Sequence, residues 1–247
     1  LVAGDSEVRR FDSSGALLGS FEVVGEPRAI AVDGDGRIHL AFIENLRVFD
    51  AGGALLETWV PPGDRSYLTS VAVAGEDVYV ADAGERVVYR VGPDDTAAQR
   101  FAEEDQAAGI PGLVVPSPHC DVAVAPDGNI VISNPGRRQV EIYSRDGALL
   151  ATFGEESMEI GGFSGCCNPT DIALLPDGLV VTAEKGSPRV KVCAVDGEIE
   201  SVIATTADFN PAVRGLDLQA SPDGRVFVLD PMKRTVRVFT RKEAPDR

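Results

Sequence analysis

The sequence predicts an all-β, six-bladed β-propeller built from four-stranded antiparallel blades. Three observations predict it. One pattern of strand and turn recurs six times along the 247 residues, and self-similarity at a fixed period marks a repeat architecture. Asp-Gly or related turns punctuate each copy at a nearly constant internal spacing, while the segments between copies vary in length. Between turns, apolar residues alternate with period two, as half-buried strands require.

The clearest copy runs through Asp121–Gly128 (DVAVAPDG), Asn129–Ser133 (NIVIS), Asn134–Arg137 (NPGR), Gln139–Tyr143 (QVEIY), Asp146-Gly147 and Ala148–Phe153 (ALLATF). The next repeats it with Asp171–Gly178 (DIALLPDG), Leu179–Thr182 (LVVT), Glu184–Gly186 (EKG), Arg189–Val192 (RVKV) and Asp196-Gly197. The six copies span 1–23, 26–60, 67–101, 116–154, 166–206 and 214–241. A single blade cannot bury its own faces, so 1–247 reads as one closed propeller domain.

Leu1–Asp5 matches the second strand of other copies, so the first copy lacks an innermost strand and the last lacks an outermost one. Either the terminal segments share a blade or part of a blade is absent. The chain accordingly reads as a mature product whose leader has been removed.

First hairpin turns fall at Asp35-Gly36, Glu76-Asp77, Asp127-Gly128, Asp177-Gly178 and Asp223-Gly224. Second turns fall at Ser14-Gly15, Gly52-Gly53, Asp94-Asp95, Asp146-Gly147 and Asp196-Gly197. Each is expected to place both central residues at positive φ. In the innermost strands one face is apolar (Ile30, Val32, Val71, Val73, Val122, Val124, Ile172, Leu174). The other is small (Ala31, Ala72, Ala123, Ala173), as crowding near an axis demands.

Up-and-down connectivity sorts the loops. Hairpins after strands one and three share one face; turns after strand two and inter-blade loops share the other. The long variable loops Ala102–Ser117 and Gly154–Gly165 fall on that second face, where function is expected.

Thirty-nine acids against 23 bases leave a net charge of −16. Such a surface disfavours nucleic acid and anionic membrane. No apolar run approaches the roughly 18–20 residues that span a bilayer. Four cysteines (120, 166, 167, 193) and two histidines show none of the spacings of a structural zinc site.

The stretches after strand two carry a family resemblance: Asp82–Val87 (DAGERV), Asn134–Arg138 (NPGRR), Glu184–Val190 (EKGSPRV) and Asp230–Val236 (DPMKRTV). They resemble NHL-repeat β-propellers over roughly 1–241. Gly165–Pro169 (GCCNP) resembles an uncharacterised bacterial subgroup of these proteins. NHL-like propellers include scaffolds for proteins and RNA and a zinc-dependent amidating lyase. The lyase resemblance implies several histidine ligands on inner strands, where this chain has only His119. The family's arginine usually pairs with the acid or amide before it, which Glu184 with Arg189 and Asp230 with Arg234 match.

Cys166-Cys167 is the least ordinary feature. The pair could close a vicinal disulfide through a strained eight-membered ring, remain as two thiols, or take part in metal or redox chemistry; Asn168-Pro169 marks a turn directly after it. A disulfide implies an oxidising, extracytoplasmic compartment, periplasmic or secreted. Cys193 takes the place of Tyr143 and reads as core.

His119-Cys120-Asp121 resembles a nucleophilic triad only on paper, because consecutive strand residues point to opposite faces. By repeat alignment His119 and Arg214 ring an opening of the central channel. Asp121, Asp171 and Asp217 occupy one equivalent position. They could hold calcium through oxygen, or each could accept backbone N–H bonds between blades. Arg137, Arg138, Lys185, Arg189, Lys233 and Arg234 lie in the loops after strand two of blades four to six, and Arg214 sits at the channel mouth; on an acidic chain this clustering suits an anion, with Lys185, Arg137 or Arg214 as the contact.

Two functions follow. The first is a non-enzymatic, monomeric binding module without a cofactor, whose long-loop face, centred on Cys166, Cys167, Asn168, His119, Arg214, Lys185 and Arg137, takes a protein or a small anionic ligand. The second is a calcium-dependent, lactonase- or esterase-like hydrolase using Asp121, Asp171 and Asp217 at the axis.

Overall fold

The structure is a computed structural model that describes residues 1–93 and 97–241. Its fold is an all-β propeller of six blades, with no helix among the described residues. None of its helices could therefore be long and apolar enough to cross a membrane. The chain divides into two compact units, Leu1–Gly112 and Leu113–Arg247, each carrying three blades.

In the first unit, the opening blade has three strands: β1 (Val2–Gly4), β2 (Glu7–Phe11) and β3 (Leu17–Glu22). The second blade has β4 (Ala29–Val32), β5 (Ile38–Ala41), β6 (Leu46–Phe49) and β7 (Leu55–Trp59). The third has β8 (Leu68–Ala74), β9 (Asp77–Asp82), β10 (Val87–Val91) and β11 (Gln99–Phe101).

In the second unit, the fourth blade has β12 (Val122–Val124), β13 (Ile130–Asn134), β14 (Gln139–Tyr143) and β15 (Leu149–Phe153). The fifth has β16 (Asp171–Leu174), β17 (Val180–Glu184), β18 (Arg189–Cys193) and β19 (Ile199–Ala204). The sixth has three strands, β20 (Asp217–Ala220), β21 (Val226–Asp230) and β22 (Thr235–Phe239). Within each sheet the strands pair antiparallel in chain order.

The turns differ from the sequence expectation in an instructive way. At Ala125–Gly128 the Gly128 amide donates to the Ala125 carbonyl at 2.8 Å, and only Gly128 has positive φ (86°). The same closure recurs at Ser144–Gly147, Leu175–Gly178, Ala194–Gly197 and Ser221–Gly224. These are three-residue hairpin connections, a type I turn followed by a left-handed glycine, rather than the two-residue mirror-image turns expected of Asp-Gly. The preceding aspartate stays at negative φ and turns its carboxylate to local amides, as Asp127 does toward the Asn129 N–H at 3.0 Å. In the third blade the first turn is Gly75-Glu76, between paired Ala74 and Asp77, one residue earlier than Glu76-Asp77. The Asp94-Asp95 turn lies outside the described residues.

Alternation along each strand sends apolar side chains to both faces, because each inner blade is covered on both sides. In the fifth blade, Ile172, Val180 and Cys193 pack with Val131, Val140, Ile142 and Phe153 of the fourth. On the other face Ala173, Val181, Val190 and Val192 pack with Leu216, Leu218, Val226 and Val228 of the sixth. Central strand β17 is consequently buried at all five residues, whereas outer strands β7 and β15 are largely exposed. Cys193 belongs to this core, and burial pushes its thiol up. In the first unit, Val8, Ile38, Leu40 and Phe49 join blades one and two. Ala41, Leu68, Val71 and Val80 join blades two and three.

A polar exception sits in the second blade. Asp33 accepts from Arg37 Nε at 2.7 Å and faces His39 Nε2 at 3.0 Å, with its side chain 4% exposed. Burial alone would raise its pKa, but the hydrogen bonds from His39 and Arg37 outweigh it and bring the carboxyl from 3.8 to about 2. A depressed folded pKa contributes stability above 3.8 that is lost as pH falls through 2. Asp33→Asn is therefore expected to cost on the order of 1 kcal/mol at pH 7 and almost nothing near the folded pKa, read from urea unfolding across pH. A penalty unchanged across that window contradicts this role.

Candidate functional site

Every residue predicted for the site lies in the second unit. The site's frame is set by the residue that ends each second strand. Asn134 Oδ1 accepts the Val114 amide at 2.9 Å, and Glu184 Oε2 accepts the Ser164 amide at 3.2 Å. Each ties an inter-blade loop to its own blade. The first unit repeats the device, with Asp82 Oδ1 accepting from Tyr67 N–H at 2.9 Å.

In the fifth blade this tie grows into a buried ionic cluster. Glu184 takes Arg189 bidentately at 2.6 and 2.9 Å and Lys191 at 3.0 Å. Arg189 and Lys191 then donate to the Gly162 carbonyl at 3.0 and 2.8 Å, and Lys191 lies 4.2 Å from the Phe163 ring centroid. Lys191 is fully buried, which lowers its pKa against the opposing pull of Glu184. The pairing of Glu184 with Arg189 is as the NHL resemblance implies. In the sixth blade, Asp230 Oδ1 accepts the amides of Met232 and Lys233.

The anchored loop delivers Gly165–Asn168. Gly165 adopts φ of 73°, and its carbonyl accepts from Arg138 Nε at 3.0 Å. Arg138 is itself left-handed at φ 56°. Asn168 is buried and bonds twice to the Lys185 backbone: its Oδ1 accepts from the amide at 2.8 Å and its Nδ2 donates to the carbonyl at 3.0 Å. The Asn168-Pro169 peptide is cis.

Cys166 is exposed and Cys167 buried, and their sulfurs lie 3.1 Å apart as free thiols. The Cys167 hydrogen bond, then the charges of Lys185 and Arg138, hold the Cys166 thiol below its usual range. Burial pushes Cys167 up, opposed by a hydrogen bond from Ser117.

Lys185 Nζ donates to Ser117 Oγ at 2.9 Å. Among the described residues no carboxylate pairs with it, nor with exposed Arg214. The segment from Ser117 to His119 therefore touches blade five through Lys185. It reaches blade six through the His119 ring, which lies so close to Gly215 that a Cβ there would stand 3.1 Å from Cε1. Ser117, Cys166, Cys167, Asn168 and Lys185 thus meet where the inner strands of the second unit begin, while His119, two residues on from Ser117, lies against Gly215, the chain neighbour of Arg214. Arg137 is exposed on the turn after β13, and its charge acts on buried Glu141 and Tyr143. Sequence reasoning missed Ser117, and it placed Arg138 in the basic cluster without its tie to Gly165. Arg138 was visible as the residue entering β14, but its left-handed backbone, which turns the guanidinium toward Gly165, has no signature in residue type.

The three aspartates align as the repeat predicts, and the carboxylates of Asp121 and Asp171 each bond to the next blade. Asp121 Oδ2 accepts the Ile172 amide at 2.6 Å, and Asp171 Oδ1 accepts the Leu218 amide at 2.9 Å. Asp121 Oδ1 also accepts the Val122 amide at 2.9 Å. Burial first, then the negative charges of Asp121 and Asp217, push the Asp171 carboxyl well above its ordinary range. Among the described residues no three His, Cys, Asp or Glu side chains form a group that could hold a metal.

No protein-family model matches the chain, and no curated protein matches it in sequence. Solved structures do resemble it. A streptogramin B lyase superposes with a TM-score of 0.65 at 12% identity, over 97% of this chain and 77% of that one. A protein of unknown function from Bacteroides caccae gives 0.63 at 13%, over 92% and 80%. The hydrazine synthase of Kuenenia stuttgartiensis gives 0.61 at 14%, over 96% and 90%. What they share with this chain is a fold. At such identities the likeness carries no activity across, since one fold hosts unrelated chemistries.

A carboxyl whose pKa rises on folding contributes stability below its ordinary 3.8, and that contribution is lost as pH rises toward the folded value. Asp171→Asn keeps the acceptor for Leu218 and removes the repulsion. At pH 7 it is expected to melt above wild type, by about 2–4 °C per kcal/mol relieved, with the gain shrinking in acid. A variant that melts lower, beside a wild type that chelator destabilises, would give the carboxylates a cation instead.

Proposed function

We propose that this chain is an NHL-type binding propeller rather than an enzyme, and that its second unit takes an anionic ligand, or an acidic group of a partner protein, at the Ser117–Lys185–Cys166 platform. One observation carries this reading. On a chain of net charge −16, the Lys185 ammonium is held beside a hydroxyl and an exposed thiol instead of a carboxylate. A cation without a counter-charge attracts an external anion, and charge-assisted hydrogen bonds contribute more than neutral ones. Arg214 and the partly exposed His119 supply further donors at the same rim.

Rigid support favours binding. Asn168, Arg138 and the Glu184 cluster fix the platform before any ligand arrives, which lowers the entropy cost of association. An exposed thiol directly beside a buried one suits an extracytoplasmic setting, where the two can bridge. Calorimetric titration with succinate and with inorganic phosphate tests the reading. Binding by the wild type should weaken about tenfold in Lys185→Gln, the loss of roughly one charge-assisted hydrogen bond. Equal affinity in the two proteins, or none in either, overturns it.

A further inference from the structure

Anion binding asks no covalent chemistry of the cysteine pair, and its two sulfurs are unlike. Cys166 is open to solvent; Cys167 is 3% exposed beneath it. Adjacent side chains normally diverge in extended backbone. Here the turn between left-handed Gly165 and the doubly anchored Asn168 brings both sulfurs to the same side, 3.1 Å apart. Arg138 secures the Gly165 carbonyl from one side and Ser117 approaches Cys167 from the other. Nothing in this frame separates the sulfurs, and no third Cys, His, Asp or Glu completes a metal group among the described residues.

Such an arrangement divides the labour of thiol–disulfide exchange. The reacting species is a thiolate, and positive neighbours favour it at an accessible sulfur. Lys185 and Arg138 stand beside Cys166 and hold its thiol toward the ionised form. Cys167 is protonated, shielded from outside reagents, and already within reach of the Cys166 sulfur.

We propose that Cys166 and Cys167 form a redox-active modification site, at which Cys166 attacks a small anionic disulfide and Cys167 resolves the mixed disulfide into a vicinal bridge. In the first step the Cys166 thiolate displaces RS⁻ from R–S–S–R and becomes Cys166–S–S–R. The released RS⁻ takes up the proton that Cys166 gave to solvent. In the second step the Cys167 sulfur loses its proton, attacks the Cys166 sulfur and expels the second RS⁻, which leaves as RSH. Two electrons and two protons pass from the cysteines to the disulfide, giving one bridge and two thiols. The closed ring has eight members and is strained, so a dithiol reductant reopens it. Lys185 and Arg138 favour a reagent that carries carboxylates. The exchange itself requires only the two sulfurs, so it can stand where the anion-binding reading fails.

Oxidised glutathione is the probe, with cystamine as its cationic counterpart. After incubation and acid quench, mass spectrometry of the peptide containing both cysteines should show loss of two hydrogens and no retained adduct in the wild type. Cys167→Ala should keep glutathione on Cys166, and Cys166→Ser should take up none. At pH 7, Cys166 should alkylate more than about tenfold faster than buried Cys120 and Cys193. Lys185→Gln should slow the reaction with oxidised glutathione more than that with cystamine, since both lose thiolate and only the anionic reagent loses an attracting charge. A stable glutathione adduct in the wild type, or Cys166 alkylation no faster than that of the buried thiols, overturns the proposal. Both are read on the unmodified protein, so they hold even if Cys167→Ala does not fold.

Discussion

The polar residue that ends the second strand of blades three, four and five is the constraint on which much of this molecule hangs. A blade has two apolar faces and gains stability only by stacking, so inter-blade segments must cross from one sheet to the next without leaving buried amides unpaired. Asp82, Asn134 and Glu184 meet that demand by accepting a loop amide each. The position is constant, while the residue can be a carboxylate or an amide. Its longest member, Glu184, reaches far enough to recruit Arg189 and Lys191 as well.

That difference in length explains the asymmetry of the second unit. Buried charges are costly unless fully matched. The Glu184 cluster is matched by carbonyls of the loop it holds, so its own desolvation is offset by ordering residues 160–164. The cysteine pair follows this ordered loop, and Gly165, Asn168 and Arg138 then set its geometry. Between blades, Asp121 and Asp171 serve a related end through the backbone of the next inner strand. Their mutual repulsion is a cost that the amide bonds partly offset.

Much of the fold was legible in the sequence because it rests on features that residue type encodes directly. Period-two alternation and the recurring Gly128, Gly147, Gly178 and Gly197 located the blades, since a hairpin cannot close without its left-handed residue. The turn type was misread, because Asp-Gly satisfies two geometries that differ only at the aspartate. The site was legible in part. Lys185, Cys166 and Asn168 stood out by charge balance and by adjacency. Ser117 did not, because a serine in a long loop carries no signal until the backbone places it, and Arg138 showed only as one of several basic residues. The aspartates illustrate another limit: their equivalence is plain in the sequence, but the next-blade amides that Asp121 and Asp171 accept lie some fifty residues away and show only once the blades are stacked.

The loop from Gly154 to Gly165 is pinned near both ends, through Glu155–Glu156 on one side and Ile160–Phe163 on the other, with an exposed crest between. Phe163 is buried against Lys191, and the Phe163 amide bonds back to the Glu155 carbonyl, whereas Met158 stands 76% exposed at the crest. Such a segment can change length and composition without disturbing its supports. It offers natural variation, or deliberate grafting, a place to write new recognition beside the thiol pair while the underlying blades stay as they are.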